Sequence, residues 1–564
     1  MTDVAEWLGE FAASLERADD QAVAQAFAPD GLWRDVLAFG WTIATHEGRP
    51  AIARLVSDRA ATVGATNWTT DAAPGATAGF IAFSTVVGRG RGYVRLKEGK
   101  CLTLLTSLED IAGHEFPVGP HRPLGKAEPA GAQADSADPY VVIIGAGQSG
   151  LALGAALRLL GVPAILIDRH PRVGDQWRSR YKSLTLHDPV WYDHMPFLPF
   201  PDHWPVYTPK DKMGDWLEHY AGIMELDVWC STECVSARRD EADGRWRVHL
   251  RRGGEDVVLH PPHVVMALGN AGFPRVPQFP GQDRFRGRQC HSSQHPGGEG
   301  LDGKRVVVVG ANNSALDIAE DAVLHGAEVT MIQRSSTHIF HQASMRQRIG
   351  ALYSEEAVAA GMTTDKADYI NLSMPIRLQE KAARRMWDDI RAKEADYYAR
   401  IEQAGFRLDF GVDGTGMQMK YLRAAAGYYI DVGATDLIVE GRIKVKAGEV
   451  REVVEDGIVL EDGTHLAADV IVYATGFGAM EEWVERLIGK DVADRLGRCW
   501  GYGSDTKGDP GPWEGEIRNM WKPTVQQGLW FMGGNLAQVR TFSRYLALQL
   551  KARFEGIDAE PYRP

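Results

Sequence analysis

Short runs of consecutive β-branched residues that break at glycine and pass into apolar residues at helical spacing occur twice along this chain. The first runs Val141-Val-Ile-Ile-Gly145-Ala-Gly147-Gln-Ser149-Gly150, and Leu151 to Leu160 continues it with Ala and Leu at helix period. Four apolar residues in a row fit a strand buried on both faces, as in a parallel sheet. Another apolar run, Ala164-Ile-Leu-Ile, ends at Asp168, 23 residues after Gly145 (168 − 145). The second copy is Arg305-Val-Val-Val-Val-Gly310, with Asn312, Asn313, Ser314 and Ala315 opening its helix and Gln333 at the same offset of 23 (333 − 310). Each stretch predicts the strand, turn, helix and strand of a Rossmann-type dinucleotide-binding fold, so the expected class is α/β with two such domains.

The pattern divides the rest of the chain around these two stretches. Helical spacing at Val4 to Leu15 and Gln21 to Phe27, then alternation around Gly79 to Val87, Gly92 to Lys97 and Cys101 to Leu108, predict a separate α+β unit over residues 1–115. Residues 116–138 are rich in Pro, Ala and Gly and read as a linker. A first nucleotide-binding domain is expected over 139–302 and a second over 303–474, with a helical, charge-rich insertion at about 342–405. Residues 475–564 return to the first. Asp456-Gly457 and Asp462-Gly463 mark hairpin turns in the run up to Asp469-Val-Ile-Val-Tyr-Ala-Thr-Gly476.

Composition narrows the partners. A length of 564 residues with 44% apolar content suits three or four globular units. A net charge of −13 argues against nucleic acid, whose phosphates call for a basic surface. The N-terminus has neither a basic nor an apolar signal segment, and no run approaches the ~20 apolar residues of a membrane span, so a soluble cytoplasmic protein is expected. Cys101, Cys230, Cys234, Cys290 and Cys499 form no C-x-x-C, which suggests neither a disulfide framework nor a metal site.

The glycine spacing carries the chemistry. Gly145 makes the turn, Gly147 lets phosphates approach the backbone, Gly150 lets helix pack on strand, and Asp168 offers a carboxylate to ribose hydroxyls. In the second copy Asn312 stands where the middle glycine would be and neutral Gln333 where the acid would be. Arg334 and Ser335 follow it, a cation and a hydroxyl suited to a 2′-phosphate, so NADPH is the expected donor.

The segments Gly174-Asp-Gln176-Trp177, Tyr181 to His187 and Tyr207-Thr-Pro-Lys, with Phe285-x-Gly287-x-x-x-His291, resemble in order and spacing the flavin-containing monooxygenases, including the plant auxin-forming members. The resemblance covers about residues 139 to 555. It departs from the family at Leu268 in the first A-x-G triplet, at His295 where an aromatic is usual, and at Asn312. With the N-terminal extension, His295 points toward the ketone-oxidising relatives. The resemblance implies bound FAD, held by the first fold with Gln176, Trp177, Val235, Gly476 and Asn535. NADPH would be held by Gly310, Asn312, Ser314, Ala315, Arg334 and Ser335. It further implies dioxygen and a small organic molecule as substrates, with oxygen transferred through a peroxyflavin. His187 and Asn313 are candidates to hydrogen-bond the oxidant. A homodimer is left open.

Residues 1–115 resemble in order and length the cone-shaped fold of scytalone dehydratase and SnoaL-type cyclases. There Trp33, Arg34 and Asp35 could line a cavity or simply form a satisfied core network. Two other functions stay in view: a flavin disulfide reductase or simple NADPH oxidoreductase, which the cysteine spacing disfavours, and a nucleotide-sensing scaffold.

Overall fold

The computed structural model describes residues 2–125, 139–269 and 272–563. Most of the expected linker, residues 126–138, therefore lies outside the described residues. Two five-stranded parallel sheets form the body, and they are built alike. In the first, Val141–Ile144 lies between Ala164–Ile167 and His263–Met266, with Leu529–Phe531 and Val228–Trp229 at the edges. In the second, Arg305–Val309 lies between Glu328–Gln333 and Val470–Tyr473, with Arg288–His291 and Ile443–Ala447 at the edges. The strand Arg288–His291 thus belongs to the second sheet, not to the first domain that the boundary at 302 assigned it to. That strand is half exposed and short, and nothing in its own pattern says which sheet it will join.

Each glycine turn closes against an A-x-G triplet. A Cβ on Gly145 would stand 2.5 Å from the carbonyl oxygen of Ala267, and one on Gly310 would stand 2.3 Å from that of Ala474. Both glycines have positive φ, +106° and +134°, so glycine is required there twice over. The segments joining the two domains pair with each other: the Gly272 amide donates to the Gly478 carbonyl and the Gly478 amide to that of Phe273, both at 2.8 Å.

The insertion is helical, as its pattern predicts, with Thr364–Leu372, Ile376–Lys393 and Ala395–Gln403 as its main elements. Its aromatic residues are core: Trp387, Tyr397 and Tyr398 are all buried. The long helix Leu536–Phe554 closes the first domain, started by a capping box between Asn535 and Gln538.

The N-terminal unit is a six-stranded sheet holding Val4–Glu16, Asp20–Gln25 and Gly48–Val63. The last helix was not legible, because its apolar residues are diluted by Arg, Ser and Asp. Along the strand Phe27–Val36 alternate side chains part company. Trp33 and Asp35 join Thr106 in a buried hydrogen-bonded chain, Trp33 Nε1 donating to Thr106 Oγ1 at 2.8 Å and Thr106 Oγ1 to Asp35 at 2.7 Å. Arg34 points the other way and forms a buried bidentate pair with Glu516, at 2.7 and 2.6 Å. Removing one partner of such a pair costs about 3–5 kcal/mol, since the other is left buried and uncompensated. Val36, Trp41, Leu105, Leu108 and Phe116 continue into the same apolar cluster as the first parallel sheet. The unit is therefore docked through an apolar and ion-paired face, and not tethered by a linker alone.

Candidate active site

The first glycine turn opens on a cavity of about 230 Å³, lined among others by Gly145, Gly147, Ser149, Asp168 and Gln176. Gly150 lies beneath it: a Cβ there would meet the Gly145 carbonyl oxygen at 1.9 Å, so helix and turn touch through backbone. Gly147 caps the helix Gln148–Leu159 with no side chain, which leaves the first N–H groups free for an anion. The space at its Cβ position is bounded by Gln176 Nε2, at 2.9 Å. That nitrogen is buried and lacks a hydrogen-bond partner, a donor waiting for an acceptor. Asp168 accepts from the Ala146 and His170 amides, each at 2.9 Å, which fixes the carboxylate at the cavity edge. Uncapped amides, an orphaned amide donor and a fixed carboxylate fit the pyrophosphate and ribose of FAD.

Other expected flavin residues are placed differently. Trp177 is half-buried and its Nε1 donates to Gln148 at 3.2 Å. Val235 is not on the cavity wall, which Thr232, Glu233 and Cys234 form instead; the ladder slips between Cys234 and Ser236, leaving Val235 in a bulge. Gly476 sits at the domain junction with φ +80°. Its carbonyl accepts from His291 Nε2 at 2.9 Å, while His291 Nδ1 accepts from the Ser293 amide at 3.1 Å. The ring is thus the neutral Nε2–H tautomer, and burial lowers its pKa. Phe285 and Gly287 pack together next to Asp469, where a Cβ on Gly287 would meet the Asp469 carbonyl at 2.3 Å. His295 is buried with both ring nitrogens unpartnered, and burial lowers its pKa to about 4. Residues missed by sequence reasoning include Trp483 and Arg486, which reach this cavity from Glu481–Leu487, far away in the chain.

In the second fold, Asn312 takes the cap position with φ −108° and ψ −172°, close to the −78° and −172° of Gly147. No left-handed backbone is involved, so asparagine changes only the space beside the turn. Ala315 is buried where Gly150 stands in the first fold. Gln333 is fully buried and exchanges hydrogen bonds with the Arg407 backbone at 2.9 and 2.7 Å, which turns it away from any ribose. Arg334 and Ser335 are exposed, and among the described residues Arg334 has no ion-pair partner. Asn313 Oδ1 accepts from the Ile430 amide at 3.2 Å, tying the helix to the strand Tyr428–Asp431. His187 is half-buried, edge-on to Tyr428 with ring centroids 6.5 Å apart. Tyr181 donates to Asp317 at 2.6 Å. Burial pushes the Asp317 carboxyl up to about 6, and burial with the nearby acids Asp317, Asp431 and Asp321 pushes Glu320 to about 7.

A second and larger cavity, about 400 Å³, opens beside the start of the last helix. Asn535, Gln538 and Tyr421 bond one another there, Tyr421 Oη donating to Gln538 at 2.7 Å and accepting from the Asn535 amide at 3.0 Å. Its walls mix apolar, polar and charged side chains and come from the N-terminal unit, the insertion, the last helix and the segments around Tyr192, Tyr421 and Glu516. Sequence reasoning singled out only Asn535 and Arg34 among its residues, because the chamber is assembled from segments hundreds of residues apart.

Among the described residues, no group of His, Cys, Asp and Glu is arranged to hold a metal ion, and no helix is long and apolar enough to cross a membrane. All five cysteines are free. Burial pushes the Cys234 thiol up to about 12, the opposite of what a redox-active thiolate needs.

A family model described as pyridine nucleotide-disulphide oxidoreductase matches residues 142–384. The indole-3-pyruvate monooxygenase YUCCA1 of Oryza sativa subsp. japonica is 32% identical over 404 residues, 71% of this chain and 90% of the plant protein. The probable indole-3-pyruvate monooxygenase YUCCA1 of Arabidopsis thaliana is 30% identical over 339 residues, 60% of this chain and 75% of its own. Among solved structures, ε-caprolactone-bound cyclohexanone monooxygenase superposes with a TM-score of 0.54 at 19% identity, over 74% of this chain and 88% of the other. An oxidized steroid monooxygenase bound to NADP does so at 0.51 and 22%, over 75% and 86%. These two show the shared fold. With the plant enzyme matched over nine-tenths of its length, the chain belongs to the flavin-containing monooxygenases, the family that uses FAD and NADPH.

Proposed function

We propose that this enzyme transfers one atom of dioxygen to a small, largely apolar organic molecule held in the chamber beside Asn535. The carrying observation is the position of that chamber. It lies at the N-terminal end of Leu536–Phe554, the helix that closes the FAD domain, and its apolar side chains, among them Ile349, Leu352, Leu372, Met374 and Phe542, can pack against an apolar body. When bound, FAD reduced by NADPH would supply the activation of oxygen, with the second oxygen atom leaving as water.

What the chain's own residues do follows from their placement. The turn at Gly147 and the amide of Gln176 would hold the pyrophosphate, and Asp168 the ribose. Asn535 starts the last helix and fixes Tyr192 through Nδ2, at 3.2 Å. In this reading Gly476 with His291 sets the angle between the two domains. Gly310, Ser314 and Ala315 form the NADPH turn, with Arg334 and Ser335 at the 2′-phosphate. In this reading His187 and the Asn313 side-chain amide act as donors to the reacting oxygen. Three helices with a six-stranded sheet support the SnoaL-like reading of residues 1–115.

Substrate-dependent NADPH oxidation across a panel of ketones, sulfides and amines tests the proposal, with products identified by mass. A product heavier by one oxygen is expected. NADPH oxidation that yields only reduced oxygen with every member overturns it.

A further inference from the structure

We propose that the N-terminal unit is part of the substrate chamber and that its Arg95 selects molecules bearing an anionic group on an otherwise apolar body. This rests on the chamber being the place of oxygen transfer. Arg34 and Arg95 both reach the chamber wall from the N-terminal sheet. The charges around them are not balanced in the same way. Arg34 is neutralised by Glu516, and Asp368 is neutralised by Arg540 at 2.7 Å. Arg95 meets only neutral acceptors: Ser373 Oγ at 2.7 Å, the Ser373 carbonyl at 3.4 Å, the Ile370 carbonyl at 3.3 Å and Thr103 Oγ1 at 3.3 Å. Its guanidinium also lies over the Tyr93 ring, 4.7 Å from the centroid. Among the described residues no carboxylate lies within ion-pair distance of it.

An arginine stays charged at any working pH, and removing it from water without a counter-charge is costly. Burial accordingly lowers the pKa of Arg95. The surrounding wall is mixed: Leu372, Met374, Ile376 and Phe542 give it an apolar part, and Arg348, Gln379 and Gln418 a polar one. A substrate carboxylate would supply the missing counter-charge through a charge-assisted hydrogen bond while its apolar body filled the rest. Arg95 also binds carbonyls at the C-terminal end of Thr364–Leu372, where a cation is favoured. If that were its whole role, losing it would loosen the docking and lower thermal stability, with no effect on which substrate is chosen.

The test uses the full-length, flavin-loaded enzyme with 4-benzoylbutyrate and its methyl ester, two ketones differing by one charge. The wild type is expected to favour the acid in kcat/KM by about tenfold or more, chiefly through KM. Arg95→Gln, which retains hydrogen bonding to Ser373, should lower the acid-to-ester ratio about tenfold, and Arg95→Lys should restore part of it. Equal use of acid and ester by the wild type, or equal losses for both in Arg95→Gln, would overturn the proposal. An enzyme that oxygenates neutral ketones or sulfides without preferring the acid sinks only this inference. One that oxygenates nothing in the panel sinks the underlying function with it.

Discussion

The two nucleotide folds share strand order, glycine turn and A-x-G support, yet they differ at each place where a ligand would touch them. In the first fold the turn is bare: Gly147 leaves space at the cap, Gly150 brings helix to backbone, and Asp168 is held at the rim of a cavity. In the second, Asn312 fills the cap, Ala315 sets helix and strand one methyl group apart, and Gln333 is consumed by the Arg407 backbone. The first helix, Gln148–Leu159, carries no acid, whereas the second, Asn313–Leu324, carries Asp317, Glu320 and Asp321. One backbone device therefore serves two purposes. The first presents a bare turn, and the second a filled cap backed by acids.

The largest effect should come from breaking the closer packing of the first fold. Gly150→Ala puts a Cβ 1.9 Å from a backbone oxygen that cannot move without moving the turn, so soluble yield and flavin content should both collapse. At the matching position of the second fold, Ala315→Gly should cost only about 0.5–1 kcal/mol of stability and leave flavin in place. Thermal unfolding and the ratio of flavin to protein absorbance read both. If Gly150→Ala keeps its flavin, the two turns are more alike than their contacts indicate.

The next contrast lies at the cap. In Gly147→Val the new side chain meets only the movable end of Gln176, so the domain should fold but lose most of its FAD. The mirror change, Asn312→Gly, should lower KM for NADPH several-fold, because it clears the approach to the second turn. A flavin-replete Gly147→Val, or an Asn312→Gly indifferent to NADPH, would remove the cap as the point of difference.

Much of this comparison was legible in the sequence, and the reason is locality. Both folds announce themselves within about 30 residues, where apolar period, glycine spacing and the terminal residue are consecutive. The conflict at Asn312 could be seen, as could Arg334. Gln333 was read for its missing charge, while its actual role, a buried clasp on Arg407, depends on a loop 74 residues on. The chamber was not legible for the same reason, since Arg34, Tyr421 and Gln538 become neighbours only after every domain has folded. The W-R-D triplet shows the limit well. Trp33 and Asp35 form the satisfied core network, whereas Arg34, one residue between them, faces the oxygenase body.

A smaller effect should follow from Arg334, which tests whether the second fold reads the 2′-phosphate without a ribose acid. Arg334→Ala should raise KM for NADPH by about tenfold and scarcely alter that for NADH, the loss expected for one charge-assisted contact. Equal changes for both cofactors would mean that the exposed guanidinium does not distinguish them.

The smallest effect concerns the acids that only the second helix carries. Asp317 and Glu320 have carboxyl pKa values raised to about 6 and about 7, chiefly by burial, so below pH 6 both are largely protonated and above pH 7 both are largely charged. Raising the pH through that window adds two negative charges within two helical turns of the site where pyrophosphate would bind. Cofactor binding should therefore weaken as pH rises, by roughly threefold at moderate salt, given the distance and screening involved. NADH is the cleaner probe, because the 2′-phosphate of NADPH itself titrates near pH 6. KM for NADH measured from pH 5.5 to 8 should rise across the window, and Glu320→Gln should flatten the upper part of that rise. The first helix has no such groups, so flavin occupancy should stay constant over the same range. A KM that falls with pH, or a profile unchanged in Glu320→Gln, would show that these acids are too well shielded from the cofactor to make the two folds differ in charge.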